Sequence, residues 1–272
     1  MRSLSVAVAL AFLALTPVWA AAPEVGGFAE WQAVAGGRLK AQVYVSPQAS
    51  AHPVLVVVLH GDAPFAKPRY QYDFARQAAA NGDVVAAAIL RPGYTDALGD
   101  TSSGNRGLTT GDNYTRDRIE MIAAAIRGLR KAHSARAVVL VGHSGGAALS
   151  ADLLALHPEL ASAALLVSCP CDLGAWRAHM KVLQHGDPIW DKPVTSVSAL
   201  DLAPRVPRGD KVRMMVGSAD EVAPRELTER YAAALSARGV DVKVVELPGK
   251  DHEIFLDPEV QTQLKALLAA VR

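Results

Sequence analysis

The sequence has almost no excess charge of either sign. Its 272 residues include 28 Lys plus Arg and 27 Asp plus Glu, which leaves a formal net charge of +1. A chain balanced this closely has no overall field that would attract nucleic acid or an anionic membrane surface. We therefore expect a small-molecule or short-peptide partner and no nucleic-acid partner.

The N-terminus lacks an apolar run long enough to span a membrane. Residues 4–15 are apolar, but a spanning helix needs about 20 such residues, and Pro17 interrupts the end of the run. Arg2 supplies the positive charge of a secretory signal, and residues 18–20 supply its cleavage site. We predict a signal peptide over residues 1–20, cleavage after Ala20 and export to the periplasm or medium without a stable membrane anchor. A retained anchor is the rival interpretation.

Cysteine is scarce, and the two cysteines, Cys169 and Cys171, are separated by a single residue. An oxidising compartment would permit a local disulfide between them. A structural metal site usually needs four ligands, and this pair has neither a second pair nor a histidine nearby, so we expect no metal. Buried free thiols and a local disulfide both remain open, and we favour the disulfide.

Apolar residues, by contrast, make up 50% of the chain. This content supports one sizeable core, and we predict a single domain over residues 21–272. Apolar runs of strand length alternate with longer helix-periodic runs, which predicts an α/β fold with a mostly parallel sheet and helices on both faces. The pair Gly36 and Gly37 predicts an N-terminal hairpin over residues 31–45.

Two stretches interrupt this alternation. Residues 91–113 form a loop rich in Gly, Ser, Thr and Asp, and we place it on the rim of the functional site because loops of this length are usually functional or disordered. Residues 186–208 are Pro-rich and irregular, and they are too few for a large cap domain. The predicted strands are 54–59, 84–90, 137–141, 163–167, 212–216 and 242–247, and the predicted helices are 68–80, 114–131, 144–156, 172–184, 225–238 and 258–271.

Gly142-His143-Ser144-Gly145-Gly146 lies between a predicted strand and a predicted helix with almost no loop. A serine on so sharp a turn has strained backbone angles and an exposed hydroxyl, and the flanking glycines let strand and helix pack closely. A dinucleotide fingerprint would need glycine in place of Ser144, and a phosphate loop would need a following Lys-Ser/Thr pair. The motif therefore predicts a nucleophile at Ser144.

A serine hydroxyl needs a base to take its proton, and an acid must orient that base. In this strand-turn-helix context the acid and the histidine follow the serine in that order, after later strands. Asp220 follows the strand 212–216, and His252 follows the strand 242–247. Glu221 and Asp251 are the competing acids. We favour Asp220 because Glu221 adjoins a helix start and Asp251 is too close in sequence to His252.

The negative oxygen that develops during acyl transfer needs preorganised N–H donors. The N–H of Gly145, which follows the nucleophile, is one candidate. The second donor of this arrangement comes from the loop after the strand 54–59. We predict the N–H of Asp62, with that of Ala63 as the fallback, and we expect His60 to have a structural role. Asp62 occupies a position where glycine is usual in this arrangement, so the sequence does not fix the geometry of this loop.

These motifs together resemble the α/β-hydrolase superfamily over the whole mature chain. The resemblance rests on His60-Gly61, on residues 142–146, on residues 217–220 and on residues 249–252. Residues 193–201 also resemble a segment of prolyl-oligopeptidase-like catalytic domains. No propeller domain precedes this segment, so a free-standing esterase is at least as well supported as a peptidase. The resemblance implies a serine hydrolase with a minimal cap.

We therefore expect Ser144 to attack the carbonyl of a carboxylic ester or a short peptide, with no metal or organic cofactor. Because an ordinary histidine loses its proton at about pH 6.5, and a general base must be neutral, we expect the rate to rise through about pH 6 to 7. Four aromatic side chains are candidates for the pocket wall or the core, namely Tyr94, Tyr114, Trp176 and Trp190. A non-catalytic binding module on a hydrolase scaffold is the alternative of another class.

Overall fold

The structure, a computed structural model, describes residues 25–271. The predicted signal peptide and its cleavage site lie outside these residues. Within them, eight strands form one sheet in the order β1-β2-β4-β3-β5-β6-β7-β8, and only β2 runs against the others. The strands are β1 (Gly27–Val34), β2 (Gly37–Val45), β3 (Val54–Leu59), β4 (Val84–Ile89), β5 (Ala137–His143), β6 (Ala163–Val167), β7 (Lys211–Gly217) and β8 (Asp241–Leu247).

Within residues 25–271, seven helices accompany the sheet and cover both of its faces. They are α1 (Tyr70–Ala79), α2 (Arg116–Ala132), α3 (Gly145–Leu156), α4 (Leu173–Leu183), α5 (Ala199–Leu202), α6 (Arg225–Arg238) and α7 (Pro258–Ala270). Side chains of α2, α3, α4 and α6 belong to one apolar core cluster, and those of α1 and α7 belong to a second. The predicted mostly parallel sheet with helices on both faces is confirmed.

The central strands show why the sequence pattern was informative. Every residue of β3 and β4 is buried, because helices cover both faces of a parallel sheet. The side chains therefore form continuous aliphatic runs instead of an alternating pattern. The edge strand β1 has no fully buried residue and lacks such a run. This explains why the predicted hairpin begins at residue 31, whereas β1 begins at Gly27 and pairs there with Tyr44.

The long loop over residues 91–113 is anchored to the sheet. Lys40 on β2 is buried, and its Nζ lies 2.6 Å from carboxylate oxygens of both Asp96 and Asp100. The Tyr72 hydroxyl donates to Asp96 at 2.7 Å. A buried lysine is stable only when it is paired, so these contacts fix the loop against β2 and α1.

The segment 186–208 is less irregular than predicted. It contains the one-turn helix α5 and two short 3-10 turns, at residues 188–191 and 203–205. Proline begins or follows the first position of both 3-10 turns, where its missing N–H costs nothing. In the described part of the chain no larger insertion covers the sheet at this point, which agrees with a minimal cap.

Cys169 and Cys171 form a disulfide directly after β6, with a Cα–Cα distance of 5.1 Å. Both residues are fully buried. The favoured local bridge is therefore present, and the alternative of free thiols is wrong. Over residues 25–271, no helix combines the length and the apolar character needed to cross a membrane.

Candidate active site

Ser144 occupies a strained turn between β5 and α3. Its φ and ψ are 52° and −122°, a region that non-glycine residues rarely occupy and that costs about 1–3 kcal/mol. The Ser144 N–H donates to the Val167 carbonyl of β6 at 2.8 Å, which holds the turn. A β-carbon at Gly142 would lie 2.2 Å from the Gly146 carbonyl oxygen, and one at Gly146 would lie 2.2 Å from the Leu59 carbonyl oxygen. Glycine is therefore required on both sides of the serine.

Asp220 and His252 meet at the same edge of the sheet. His252 Nδ1 lies 2.9 Å from each carboxylate oxygen of Asp220. Asp220 Oδ1 also accepts from the backbone N–H groups of Val222 and Ala223, at 3.0 and 2.8 Å. Burial alone would raise the pKa of Asp220, but the hydrogen bond from His252 and the backbone donors outweigh it and lower the pKa. The ionised carboxylate thus holds a proton on Nδ1 and leaves Nε2 free to act as a base.

Ser144 lies beside this pair because β5 to β8 are consecutive neighbours in the sheet. The ring of His143 lies 5.1 Å from that of His252, and His143 Nε2 lies 3.0 Å from the His252 carbonyl oxygen. Ser144 Oγ makes no hydrogen bond among residues 25–271, so it is not hydrogen-bonded to His252 in this structure. Catalytic hydrogen bonds often tighten only when substrate binds.

The competing acids do not contact the His252 ring in the part of the chain that the structure describes. Asp251 accepts a hydrogen bond from the Glu253 N–H at 3.0 Å. Glu221 contributes its backbone carbonyl to His179 at 2.7 Å. Of the three candidate acids, Asp220 alone has the geometry of an orienting acid.

The loop after β3 presents one N–H without a partner. The Gly61 N–H donates to the Tyr70 hydroxyl at 2.6 Å, and the Ala63 N–H interacts with the Tyr94 hydroxyl. Between them, the Asp62 N–H has no partner among residues 25–271. The contact with Tyr94 disfavours Ala63 as the oxyanion donor and leaves the Asp62 N–H available. Its partner donor, the N–H of Gly145, belongs to the first turn of α3, where N–H groups lack intrahelical acceptors.

The Asp62 side chain explains why this loop carries aspartate instead of glycine. Its carboxylate pairs with Arg91 at 2.9 Å and accepts from the Tyr114 hydroxyl at 2.8 Å. Arg91 is 1% exposed and also donates to the His60 carbonyl and to Asn113, both at 3.0 Å. These buried contacts fix the position of the loop after β3. A β-carbon at Gly145 would lie 2.7 Å from Asp62 Oδ1, so the network also packs against the nucleophile turn.

Arg91 and Asn113 were not predicted individually, although both belong to the loop 91–113 that was placed on the rim of the site. The only available signal was position, because Arg91 follows β4 at the carboxyl edge of the sheet, where ligand sites of α/β folds usually lie.

His60 has the expected structural role. Its Nδ1 lies 2.7 Å from the Gly61 carbonyl oxygen, and its Nε2 accepts from the Arg91 N–H at 3.1 Å. Burial lowers the pKa of His60 well below its usual range, so the ring is neutral.

The four candidate aromatic residues divide into two pairs. Tyr94 and Tyr114 lie in the network around Asp62. Trp176 and Trp190 pack edge to face, with ring centroids 5.4 Å apart, and the Trp176 N–H donates to the Val222 carbonyl at 2.9 Å. Trp190 also lines a cleft of about 760 Å³ beside α4. No three His, Cys, Asp or Glu side chains within residues 25–271 form a metal-binding group.

Comparisons with solved structures show the same fold in peptidases and in esterases. Acylaminoacyl peptidase of Pyrococcus horikoshii is 14% identical, with a TM-score of 0.68 over 89% of this chain and 40% of its own. A puromycin-hydrolysing peptidase of Mycobacterium tuberculosis is 20% identical, with a TM-score of 0.68 over 91% and 39%. An esterase of Pyrococcus furiosus is 14% identical, with a TM-score of 0.67 over 90% and 93%. The chain thus spans well under half of each peptidase.

The sequence itself identifies the family. No curated protein matches the chain. Residues 72–270, which include Ser144, Asp220 and His252, match the model of the prolyl oligopeptidase family. This chain therefore belongs to the prolyl oligopeptidase family and has the α/β-hydrolase fold.

Proposed function

We propose that this protein hydrolyses carboxylic esters through an acyl-enzyme on Ser144. Ser144 Oγ attacks the carbonyl carbon while His252 Nε2 takes its proton. The bond from carbon to the alcohol oxygen then breaks, and Nε2 returns the proton to that oxygen. Water repeats the sequence on the acyl-enzyme, which releases the acid and restores Ser144.

Two backbone donors would stabilise the tetrahedral intermediate. The N–H groups of Gly145 and Asp62 are the candidates, and removal of one such donor typically costs about 2.7–4 kcal/mol. Asp220 has a lowered pKa and so remains ionised while His252 carries its second proton. The single observation that carries the proposal is the strained Ser144 turn beside a doubly hydrogen-bonded His252–Asp220 pair.

Hydrolysis of short peptides is the second candidate, and the family match favours it. Solved structures with the same fold include an esterase as well as peptidases. Ester cleavage also makes the smaller chemical demand, because an alcohol oxygen leaves more readily than an amide nitrogen. We therefore rank the ester first.

Covalent labelling tests the nucleophile. We expect a fluorophosphonate to add one adduct to wild-type protein, detected by intact mass, and none to the Ser144→Ala variant. Folded wild-type protein that remains unlabelled would contradict the proposal and would favour a binding module instead. A panel of p-nitrophenyl esters and aminoacyl anilides then separates the two substrate classes. Faster turnover of anilides than of esters would replace the ester with the peptide.

We also propose that the protein is exported after cleavage at Ala20. The Cys169–Cys171 disulfide supports this proposal, because disulfides persist mainly in oxidising compartments. Expression of the full-length chain in a bacterial host, followed by fractionation and N-terminal sequencing, tests it. We expect a mature N-terminus at Ala21 in the periplasm or medium, and an intact Met1 in the cytoplasm would contradict export.

A further inference from the structure

The backbone of His252 is held by side chains from the two neighbouring strand ends. Its carbonyl oxygen lies 3.0 Å from His143 Nε2 and accepts from Ser168 Oγ at 3.1 Å. His143 is the last residue of β5, and Ser168 follows β6 with a φ of 51°. Two donors on one carbonyl fix the backbone position from which the imidazole projects.

A hydrogen-bond chain continues from His143 to the oxyanion loop. The Tyr70 hydroxyl lies 2.9 Å from His143 Nδ1 and accepts from the Gly61 N–H at 2.6 Å. Gly61 directly precedes Asp62, whose N–H is the proposed oxyanion donor. The same chain of hydrogen bonds therefore connects the oxyanion loop, through Gly61, with the candidate base, through the His252 carbonyl.

The direction of each hydrogen bond follows from the chemistry of the groups. Burial lowers the pKa of His143 to about 3, so the ring is neutral and carries one proton. A carbonyl oxygen can only accept, so that proton lies on Nε2 and points at His252. Nδ1 must then accept from the Tyr70 hydroxyl, which in turn accepts from Gly61. The hydroxyl is thus both donor and acceptor, and a phenyl ring could replace neither function.

Aromatic packing holds this chain in place. The ring of Phe255, three residues after His252, lies 5.5 Å from the ring of Tyr70 and 5.3 Å from that of His143. Tyr70 and His143 also pack edge to face, with ring centroids 5.4 Å apart. Because the rings are fixed by packing, the polar groups alone decide how His143 is protonated.

We propose that Tyr70 and His143 are positioning residues, which fix His252 and the oxyanion loop relative to each other. The inference rests on the proposed function. Without the Tyr70 hydroxyl, His143 Nδ1 and the Gly61 N–H both lose their partner, so the oxyanion loop is no longer connected to the ring that holds the His252 carbonyl. A displacement of about 1 Å at a catalytic group costs about 10²-fold in rate. The loss should fall on kcat, because the chain of hydrogen bonds positions groups that act in the transition state.

The first test compares two tyrosines of α1 in the full mature protein. Tyr70→Phe should lower kcat for p-nitrophenyl acetate, and the rate constant of fluorophosphonate labelling, by about 10-fold to 100-fold, with KM unchanged. Tyr72→Phe is the matched control, because it removes a hydroxyl that donates to Asp96, away from the site. Thermal unfolding of each variant shows whether the two losses of a hydroxyl have similar effects on stability.

Variants of His143 test whether the two residues act as one chain. His143→Gln retains an N–H donor near the Nε2 position and should keep more activity than His143→Leu. In a double-mutant cycle, Tyr70→Phe should cost less in the His143→Leu background than in wild type, because the bond between the two side chains is already lost and only the Gly61 contact remains to be removed. If His143→Leu fails to fold, the cycle uses His143→Gln, which should be sensitive to Tyr70→Phe through the Gly61 contact only.

The outcomes separate this inference from the proposed function. Wild-type protein that does not react with the fluorophosphonate would contradict both. Reactive wild-type protein with an unchanged kcat in Tyr70→Phe would overturn the positioning role alone. Effects of Tyr70→Phe and His143→Leu that multiply, or a Tyr70→Phe loss confined to stability, would likewise show that the two residues act separately or only structurally.

Discussion

Two regions of this protein differ in how the polar side chains in them are hydrogen-bonded. At the carboxyl edge of the sheet, Asp62 and Asp220 each accept several hydrogen bonds. On α3 and α6, the side-chain oxygens of Asp152, Thr228 and Tyr231 are buried without a hydrogen-bond partner among residues 25–271. Asp210, before β7, has one such oxygen as well. Asp220 is buried like these four residues, so burial alone does not distinguish the regions.

The difference appears in the carboxyl pKa values. Burial raises the pKa of Asp210 to about 6 and that of Asp152 well above its usual range, because no donor compensates the lost solvation. At Asp220, donors overcome the same penalty and lower the pKa. Hydrogen-bond donors at the active-site edge thus keep a buried carboxylate charged. In the helix region, where such donors are missing among residues 25–271, the protonated and neutral form of the carboxyl groups is favoured.

The largest expected effect is the loss of charge at Asp220. Asp220→Asn should lower kcat by about 10⁴-fold, as seen for the corresponding change in other Ser-His-Asp sites. The amide no longer selects the tautomer of His252 that leaves Nε2 free. Steady-state ester hydrolysis measures the change, and Asp210→Asn is the matched control that should retain wild-type kcat. Equal activity in the two variants would show that Asp220 is not the orienting acid.

The next effect is the removal of the cation that pairs with Asp62. Arg91→Met should lower the free energy of unfolding by about 3–5 kcal/mol, because it leaves a buried carboxylate without its counter-ion. Urea unfolding provides the measurement. The double variant Arg91→Met with Asp62→Asn should recover part of the loss. A single variant as stable as wild type would mean that the tyrosine hydroxyls suffice to hold the Asp62 loop.

A smaller effect should depend on pH. The pKa of Asp210 is about 6 in the folded state and about 3.9 for an ordinary Asp. The folded state therefore holds this proton more tightly, and the stability it contributes is present below about pH 4 and lost as the pH rises through 6. Asp210→Asn removes that loss, and we expect a Tm higher by about 6–12 °C at pH 8 and unchanged at pH 4. An equal shift at both pH values would exclude ionisation as the cause.

The smallest effect concerns tyrosine hydroxyls that differ only in their partners. Tyr231→Phe should change the free energy of unfolding by less than about 1 kcal/mol, since its buried hydroxyl has no partner to lose. Tyr114→Phe removes a donor to Asp62 and should cost about 1.5–3 kcal/mol, the range for hydrogen bonds to charged groups. Parallel urea titrations compare the variants. A larger loss in Tyr231→Phe would reveal an interaction of that hydroxyl, for example with buried water.

Much of the fold was predictable because the sequence patterns that mark its helices and strands are local. β3, β6 and α6 were predicted with little or no error at their ends, since each is marked by a continuous apolar run or by a proline and a glycine. Errors occurred at the edge strand β1, whose pairing depends on β2 more than on its own residues, and over residues 186–208. Elements of one turn, such as α5, depend on packing that no short pattern records.

The sequence by itself determined the order of strands and helices, the turn at Ser144, and the positions of Asp220 and His252 after successive strands. These features follow from backbone geometry and apolar periodicity, which act over a few residues. Only the tertiary structure decided that Arg91, Tyr94 and Tyr114 surround Asp62, or that Tyr70 and His143 connect two loops. Such contacts join residues that are distant in the chain, and their energies depend on burial and on hydrogen-bond partners, which exist only after folding.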